Sequence, residues 1–536
     1  MNPPPVPAPR NGAPMSRRSL LRGALTGAAA LGAGGILDAC GSATHSSAGT
    51  GVSSGPAADA PRKGGTLRLA MTGASSTDEI NPLLQVTNVS TAMDLQIFDS
   101  LVAFDRNAIP QLSLADEVTP NADATEWTIR VKDGVTFHNG KDLTADDVIY
   151  TFQQIQDPKN TAVGAGAITT IDSANIKKLD RLTVRIPCRA PFSTLFSTLA
   201  AYYYFVIPVG FDRKNPVGTG PFKFQSFTPA VSASFVRNDH YWGGAPYLDG
   251  MSWSFFAQEA SQVNALLSGQ ADAVSLLSSA SMSTVRGSGG VLLISDGGGW
   301  TPFTMNCNTA PFTDVRVRQA FKLMADRQQM LQQVFLGNGV IGNDVFSIWD
   351  PAYDKSLPQR PHDPQQAKHL LKQAGHDGLN ITLVTSDIAQ GTESVAQIFA
   401  QQAKAAGVNV TLQTQTVTDF YGPNYLKWGF AQDFWYYNPY FFQVAAAMLP
   451  GGTGNECHFA NTRYFDLYAE ALRTIDDAKR TEIAHEMQTI EWNEDGYIIP
   501  YFAPVIDAHS KKVHGAVTTR TALSFNDFDF TRIWMS

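Results

Sequence analysis

The sequence predicts an α/β protein with more than one structural unit. Segments with the pattern of strands alternate with segments with the pattern of helices along most of the chain. About 475 of the 536 residues remain when the first 61 are set aside. A single hydrophobic core does not grow to that size, so two to four units are expected. The chain is 43% hydrophobic and 10% aromatic, which supplies apolar material for several cores.

The predicted strands follow from local patterns. Residues 65–70 read as a short strand near the start of the body. Apolar and polar residues alternate with period two over residues 126–131, as in a strand with one buried face. Gly134 comes directly after that strand and can supply the positive φ of a turn.

The predicted helices are bounded by capping residues. Thr144 is a good N-cap for a helix whose apolar face includes Val148. Asp363 as N-cap, Pro364 at the first helical position and Gly375 after the last turn bound another helix. These cues predict both helices without any long-range information.

Composition excludes several classes of function. The net charge is −8, whereas binding of nucleic acid needs a basic surface, so no nucleic-acid partner is expected. Cys188, Cys307 and Cys457 are too few and too scattered for a disulfide framework or a metal site. One disulfide among them is one reading, and three small core thiols is the favoured one. The ten histidines lack metal-ligand spacing, so neither a metal nor a cofactor is predicted.

Signatures of catalysis are also missing from the sequence. It contains no Gly-x-Ser-x-Gly elbow, no phosphate-binding loop and no His-Glu-x-x-His zinc motif. The paired acids at 146–147 and 476–477 fall at predicted helix starts, where capping explains them. We therefore predict a protein that is not an enzyme.

The first forty residues read as an export signal with an anchor. Residues 16–22, SRRSLLR, precede a short run of Ala, Gly and Leu that is too short to span a bilayer. The paired arginines resemble a twin-arginine signal. Residues 37–40, LDAC, resemble a lipobox, which implies a lipidated Cys40, although Asp38 departs from that pattern. A plain export signal is the alternative, and Met15 is an alternative start. Residues 41–61 then read as a flexible tether.

Ordered motifs through the body resemble the bacterial extracellular solute-binding proteins of family 5, the peptide- and nickel-binding receptors of ABC importers. Each motif is weak alone, but their shared order over residues 114–375 is specific. The motifs are LA at 114–115 followed by WTIRVKDGVTFHNGKDLTADDV at 127–148, NPVGTGPFKF at 215–224, RNDHYWGGAPYLD at 237–249, LSGQAD at 267–272, PFTDVRVRQA at 311–320, DR at 326–327 and DPQQAKHLLKQAG at 363–375.

The resemblance implies a two-lobed periplasmic-binding-protein-like fold with a central cleft and two hinge crossings. Lobe I would comprise residues 62–300 and 502–536, with an extra subdomain at about 90–210. Lobe II would comprise residues 301–501, including the hinge crossings, which are placed at residues 300–307 and 497–502. The export signal would occupy residues 1–40 and the tether 41–61. Solute would bind between the lobes and close them.

The predicted ligand-binding residues centre on an aromatic segment at residues 430–442. Tyr and Trp present an apolar face and a polar tip, which suits a varied solute. Core packing of a strand and a helix is the alternative for many of these side chains. The predicted set adds two residues of the first crossing and consists of Trp300, Asn306, Asp433, Trp435, Tyr436, Tyr437 and Asn438.

The resemblance also predicts a charge that this segment does not hold in the usual place. Peptide-binding members carry an aspartate four residues before the proline of this motif, and it pairs with the α-amino group of the peptide. Counted back from Pro439, that position is Trp435. Asp433 lies two residues further back and takes the role if the register shifts; otherwise the solute lacks a free amine or meets another acid.

The resulting prediction is a monomeric, extracytoplasmic substrate-binding lipoprotein of an ABC importer. Its partners would be a small peptide-like solute, the permease and ATPase subunits, and the membrane through the lipid on Cys40. A receptor for a sugar or a metal chelate is the first alternative. An extracytoplasmic hydrolase or a receptor lipoprotein without a transport role is a more distant one.

Overall fold

Three larger β-sheets organise the part of the chain that the structure describes. The computed structural model describes residues 60–84 and 87–536. The predicted export signal, Cys40 and residues 41–59 of the predicted tether lie outside this part. Ala60–Ser536 form one compact unit.

The first sheet contains seven described strands and mixes parallel and antiparallel pairs. Thr66–Thr72 is central and pairs in parallel with Gly250–Phe256 and with Ala273–Val274. In spatial order the strands are Val291–Ser295, Val505–His509, Ala273–Val274, Thr66–Thr72, Gly250–Phe256, Ser232–Arg237 and Phe222–Thr228. This sheet therefore joins the start of the body to a segment near the end of the chain.

The second sheet contains five described strands from the middle of the chain. Phe303–Met305 pairs antiparallel with Phe430–Gln432 on one side and with Tyr497–Ile498 on the other. In spatial order the strands are Asn409–Gln415, Asn380–Ser386, Phe430–Gln432, Phe303–Met305 and Tyr497–Ile498.

The third sheet is antiparallel and is built from residues within the predicted extra subdomain. Its strands, in spatial order, are Ala115–Pro120, Glu126–Val131, Thr183–Pro187 and Lys177–Lys178. Short two-stranded pairs in the described residues are Val102–Phe104 with Pro110–Leu112, Val340–Ile341 with Tyr501–Phe502, and Val513–His514 with Trp534–Met535.

Helices alternate with these strands along the chain. The α-helices are Asn88–Ile97, Ala145–Gln156, Leu195–Thr198, Glu259–Leu267, Met282–Gly287, Val315–Met324, Arg327–Phe335, Pro364–Gln373, Thr392–Ala403, Val417–Phe420, Tyr440–Ala447, Thr462–Arg473 and Asp477–Glu494. Short 3-10 turns occupy Val163–Ile168, Ser173–Asn175, Ser279–Ser281 and Lys404–Ala406. Ser524–Asp527 is an irregular turn, because Phe525 and Asn526 have positive φ angles of 40° and 60°.

The α/β class and the elements predicted from local patterns are confirmed. The predicted strand at 126–131 is Glu126–Val131, and the one at 65–70 is Thr66–Thr72. Gly134 has a φ of 76°, as its turn position predicts. The Asp363 carboxylate accepts a hydrogen bond from the backbone N–H of Gln366 at 2.9 Å and so caps the helix that Pro364 begins.

Several separate hydrophobic cores fill the described part, as the chain length predicts. Leu69 and Ala70 are successive residues of the central strand of the first sheet, and they belong to different cores. That sheet is therefore covered on both faces, since successive side chains of a strand point to opposite sides. Ile129 belongs to the core of the third sheet and Leu383 to that of the second.

The chain passes between the first and second sheets twice. It leaves the first sheet after Ser295 and enters the second at Phe303, then leaves the second after Ile498 and returns to the first at Val505. Both passages fall where the hinge crossings are predicted. The exact bounds of the two lobes and of the extra subdomain stay a prediction.

A buried ion cluster holds the returning passage. The backbone N–H of Ile499 donates to Asp344 Oδ1 at 3.0 Å. Asp344 also accepts from the guanidinium groups of Arg327, at 2.6 and 2.8 Å, and of Arg360. All three charged side chains are buried, so the carboxylate is both neutralised and fixed in place.

Cys188, Cys307 and Cys457 are free thiols. Cys307 and Cys457 do come together, but through their backbones, because the Cys307 N–H donates to the Cys457 carbonyl at 2.8 Å. Among the helices of the described residues, none is both long and apolar enough to span a bilayer.

Candidate functional site

The aromatic segment begins as a strand inside the second sheet. Phe430–Gln432 pairs with Phe303–Met305, the strand that follows the first passage between sheets. The chain then runs extended to Pro439, after which Tyr440–Ala447 is a helix. The sheet thus fixes the start of the segment beside the first passage and presents residues 433–438 there.

Two tryptophans form the centre of this region. The backbones of Trp300 and Trp435 exchange two hydrogen bonds, of 3.0 and 2.9 Å. Their rings are stacked, with centroids 6.0 Å apart and an angle of 11° between planes. Trp300 is only 1% exposed, whereas Trp435 is half-buried. Trp300 therefore backs a Trp435 ring that still reaches the surface.

Two carboxyl groups are buried beside Trp435. Asp433 is 2% exposed, and its Oδ1 accepts from the Tyr421 hydroxyl and from the Phe434 N–H, both at 2.7 Å. Glu456 is 6% exposed, and its Oε1 accepts from the indole Nε1 of Trp435 at 3.0 Å. Its Oε2 accepts a short hydrogen bond from the Tyr497 hydroxyl. Neutral donors therefore hold both acids.

Burial governs the protonation of this pair. It raises the pKa of Asp433, while the Tyr421 hydroxyl and the neighbouring Glu456 carboxyl lower it. Burial also raises the pKa of Glu456 well above its usual value, and the negative charge of Asp433 raises it further. The two neighbouring carboxyls affect each other in opposite directions, because Glu456 lowers the pKa of Asp433 and Asp433 raises that of Glu456.

No Lys or Arg of the described residues forms an ion pair with either acid. Asp433 Oδ2 is buried and accepts no hydrogen bond from a described hydroxyl or N–H group at ordinary distance. The Glu456 carboxyl and the Tyr425 hydroxyl neighbour the Asp433 side chain, and both lower its pKa. Two buried acids without a cation are costly, so the arrangement has capacity for a positively charged group.

A small cavity lies against both carboxyls. Its volume is about 10 Å³, and its walls include Asp433 and Glu456 together with Thr304, Tyr425 and Trp428. This is close to the smallest volume that holds one water molecule. A compact polar head group therefore fits there, while any bulkier part of a solute would have to lie elsewhere.

The remaining predicted site residues are held mainly by other parts of the protein. The Tyr437 hydroxyl donates to the Ala108 carbonyl at 3.2 Å, and its ring lies 5.3 Å from that of Phe104. The Asn438 amide donates to Gln443 Oε1 at 3.0 Å. Tyr437 thus joins residues of the predicted second lobe to residues of the predicted first lobe.

Tyr436 and Asn306 differ from each other in exposure. Tyr436 is half-buried and packs against the core of the first sheet, with its ring 4.8 Å from that of Phe434. Asn306 is buried in a turn, where its Oδ1 accepts from the Asn308 N–H at 3.0 Å. The structure thus brings Trp300, Asp433 and Trp435 together around Glu456. The ligand contacts of all seven predicted residues stay a prediction.

The sequence prediction missed Glu456 and three tyrosines that surround the acid pair. Glu456 belongs to the loop before the helix Thr462–Arg473, and nothing in its local pattern distinguishes it. Tyr421 and Tyr425 belong to an aromatic cluster just before the predicted segment, and that density was an available signal. Tyr497 was assigned to a crossing but not to the site.

A larger cavity of about 610 Å³ lies elsewhere, against Asp99, Trp242 and Phe528. None of the seven predicted site residues lines it. Trp242 Nε1 donates to the Asp99 carboxylate at 2.8 Å, so that acid has its own partners. Across residues 60–84 and 87–536, no group of three or more His, Cys, Asp or Glu side chains could hold a metal ion.

Comparisons with known proteins agree on one family. Residues 110–455 match the family described as "Bacterial extracellular solute-binding proteins, family 5 Middle". The glutathione-binding protein GsiB of Escherichia coli is 25% identical over 469 residues, which cover 82% of this chain and 90% of GsiB.

Solved structures of this kind share the fold. The periplasmic binding protein DppA of Helicobacter pylori, in complex with the peptide STSA, matches with a TM-score of 0.76 and 21% identity over 88% of this chain and 98% of DppA. NikZ of Campylobacter jejuni, in complex with Ni(L-His), matches with a TM-score of 0.74 and 18% identity over 87% of this chain and 98% of NikZ. These matches confirm the predicted two-lobed fold.

Proposed function

The chain belongs to the bacterial extracellular solute-binding proteins of family 5, the substrate-binding proteins of ABC importers, and we propose that it captures a small peptide-like solute with a free amine. Family members work outside the cytoplasm. The amine would enter beside Asp433, and the rest of the solute would lie against the aromatic segment. Closure of the lobes would then present the loaded protein to a membrane permease and its ATPase.

One observation carries this proposal. Asp433 is buried next to the half-buried Trp435 ring, and no described Lys or Arg forms an ion pair with it. An ammonium group of a solute would supply the missing positive charge and donate to Asp433 Oδ2. Asp433 would therefore take the role that family resemblance assigns to an acid in this segment, in a register shifted by two residues from Trp435.

Contacts across the predicted lobes support a closing mechanism. Tyr437 reaches Ala108 and Phe104 of the predicted first lobe. A solute that contacts both lobes only when they are closed shifts the population toward the closed form. A shift from mostly open to mostly closed takes about 5.5 kcal/mol of differential affinity. The combined binding free energy of a buried ion pair and one or two stacked rings is of that order.

The proposal is tested by titration calorimetry with three probes: glutathione, tri-alanine and N-acetylated tri-alanine. We expect that at least one probe with a free amine binds and that N-acetylation abolishes the binding of tri-alanine. Small-angle scattering should show a smaller radius of gyration for the loaded protein. Equal affinity for the free and acetylated peptides would show that the amine is not recognised. An unchanged radius of gyration on loading would contradict closure of the lobes.

A metal chelate or a sugar is the second candidate, and the aromatic surface favours it. Phe434, Trp435 and Tyr436 are all half-buried, and such rings also pack on chelates and sugars. NikZ, which matches in fold, holds Ni(L-His) in its structure. Native mass spectrometry of protein purified from the producing cell separates the candidates, because the mass of retained cargo identifies a peptide, a sugar or a chelate.

We also propose that the protein is exported through its twin-arginine-like signal and anchored through a lipid on Cys40. The sequence pattern of residues 16–40 supports this, and residues 41–61 would be the tether. Metabolic labelling with a radioactive fatty acid should label the wild type and not C40S. Equal labelling of both would contradict the anchor. The body itself is proposed to be a monomer, which the mass in solution tests.

A catalytic role would be revealed by turnover. The purified protein should leave glutathione and tri-alanine intact during long incubation, as a binding protein does. Hydrolytic activity toward either peptide that is present in purified wild type and absent from purified D433N would favour the alternative of an extracytoplasmic hydrolase.

A further inference from the structure

The acid pair consists of Asp433 and Glu456, and the proposed function assigns a role only to Asp433. The two oxygens of Glu456 accept from the indole Nε1 of Trp435 and from the Tyr497 hydroxyl. These two contacts fix the carboxyl against the cavity that Asp433 also lines. Glu456 is therefore positioned toward the proposed amine, although it lies 23 residues further along the chain.

Two carboxyl groups in one buried pocket cannot both ionise at neutral pH. Like charges that line one small, poorly hydrated cavity repel strongly, so one group keeps its proton. That proton would lie where the two carboxyls line their common cavity, because Asp433 Oδ2 accepts no hydrogen bond from a described hydroxyl or N–H group. An empty pocket thus holds a pair with a single negative charge.

We propose that Glu456 shares a proton with Asp433 in the empty protein and that a primary ammonium group displaces this proton on binding. The inference rests on the proposed function, since it concerns the same pocket. The only covalent bond that breaks is the O–H bond of the protonated carboxyl, and water takes up the proton. The ammonium keeps its three protons and donates N–H hydrogen bonds to the two carboxylates, while the shared proton passes to solvent. Capture therefore releases up to one proton and strengthens as the pH rises.

The size of the cavity selects the kind of cation. A volume of about 10 Å³ is close to the smallest that holds one water molecule, and an ammonium head is similar to water in size. A guanidinium or a quaternary ammonium group is several times larger and would have to displace Tyr425 or Trp428 from the wall. The aromatic wall further favours a cation over a neutral group. The geometry thus points to solutes with a primary amine.

Other titratable groups near the pair do not replace it. Burial raises the pKa values of the Tyr421, Tyr425 and Tyr497 hydroxyls, so they stay neutral at ordinary pH. The described titratable groups that interact with Glu456 from its own loop and from neighbouring elements are Asp433, Tyr421, Tyr425, Tyr497 and Cys457. The pKa of Cys307 is raised to about 11 and that of Cys457 also lies above its usual value. The pair is thus the acidic group of this pocket.

Calorimetry in buffers of different ionisation enthalpy measures the proton release directly. Tri-alanine and glutathione are titrated from about pH 5 to about pH 7, where a peptide α-amino group, with a pKa of about 8, keeps its proton. For a bound peptide, we expect release of up to one proton in wild type and an affinity that rises as much as tenfold per pH unit while the pair is protonated. E456Q should bind without that release and with a flatter pH profile.

The matched control is E482Q, which changes an exposed glutamate of the helix Asp477–Glu494. E482Q should reproduce the wild-type proton release. Other acids with a raised pKa are present in both the wild type and E456Q, so they cannot explain a difference in proton release between the two. Equal proton release by wild type and E456Q would overturn the inference. The proposed function would survive that result as long as N-acetylation still abolished binding, so the two failures are distinguishable.

A second measurement keeps the inference testable when neither peptide binds. Thermal unfolding is followed in methylammonium chloride and in tetramethylammonium chloride at equal concentration. The small cation should raise the melting temperature of wild type relative to the large one, and this difference should disappear in E456Q and in D433N. An equal melting temperature of the wild type in the two salts would contradict the proposal that this pocket binds a primary ammonium group.

Discussion

Trp435 and Glu456 are joined by a hydrogen bond of 3.0 Å from the indole Nε1 to Oε1. Trp435 stands where the family resemblance predicts an amine-binding aspartate. An indole N–H only donates, so it cannot receive an amine, but here it holds an acid that can. The negative charge is thus present in the region, displaced to Asp433 and Glu456.

The first prediction concerns the carboxylate of Asp433. D433N keeps the shape of the side chain and removes the charge that would face the amine. We expect it to weaken binding of a free-amine peptide by about 2–5 kcal/mol, the range for removing one partner of a buried ion pair. Titration calorimetry measures the change, and E482Q serves as the unaffected control. An unchanged dissociation constant would exclude Asp433 from the site.

The second prediction separates the two roles of Trp435. W435A removes both the ring and its N–H and should weaken binding by about 1–3 kcal/mol, the scale of a buried aromatic contact. W435F keeps a ring but loses the hydrogen bond to Glu456, and should cost about 1 kcal/mol. Calorimetry at one pH compares the two variants. Identical affinities for W435A and W435F would mean that the ring itself contributes nothing.

The third prediction uses a glycine to move the indole. A Cβ on Gly454 would lie 2.4 Å from two atoms of the Trp435 ring, and the φ angle there does not otherwise require glycine. G454A should therefore displace the indole, lower the free energy of unfolding by about 1–3 kcal/mol and weaken binding. G429A is the control, because its Cβ would meet only Thr309 Cγ2 at 3.6 Å. Full affinity in G454A would show that the position of the indole is unimportant.

The fourth prediction is a loss of stability as the pH rises. Glu491 is buried, and its Oε1 accepts from the hydroxyls of Tyr440 and Tyr464 at 2.7 and 2.6 Å. Burial raises its pKa from 4.5 to about 8. The folded state thus keeps a proton that the unfolded state loses, so its contribution to stability is lost between about pH 4.5 and about pH 8.

Replacing Glu491 tests this sign. E491Q should flatten the decline in the free energy of unfolding over this range by about 2–4 kcal/mol. Asp527, with a pKa raised to about 7, contributes in the same direction and remains in the variant. Denaturant unfolding at several pH values measures the slope. The same slope in wild type and E491Q would contradict the prediction.

Local features of the fold could be predicted from the sequence because their causes are local. The strand Glu126–Val131 follows from alternation of its own residues, and the helix Pro364–Gln373 from Asp363 and Gly375 at its ends. The class of fold followed from motifs in a fixed order. Each of these signals needs only residues close together in the chain.

The acid pair could not be predicted because the fold assembles it. Asp433 follows a strand of the second sheet, whereas Glu456 lies in a later loop, and Tyr421 comes from an earlier one. Only the folded chain brings their side chains into hydrogen-bond reach. Tyr437 is predicted as a site residue from its aromatic character alone. Its packing against Phe104 could not be predicted, because Phe104 lies in a distant segment of the chain.

Trp300 has a consequence for how an occupied pocket is sensed. Its ring stacks on Trp435, while its backbone forms an isolated bridge with Phe502 on the returning passage between the sheets. Trp300 therefore contacts both the ring that is proposed to face the solute and the two passages of chain about which the lobes would rotate. Displacement of the Trp435 ring by a solute would then act on both passages through Trp300 alone, without further intermediate residues.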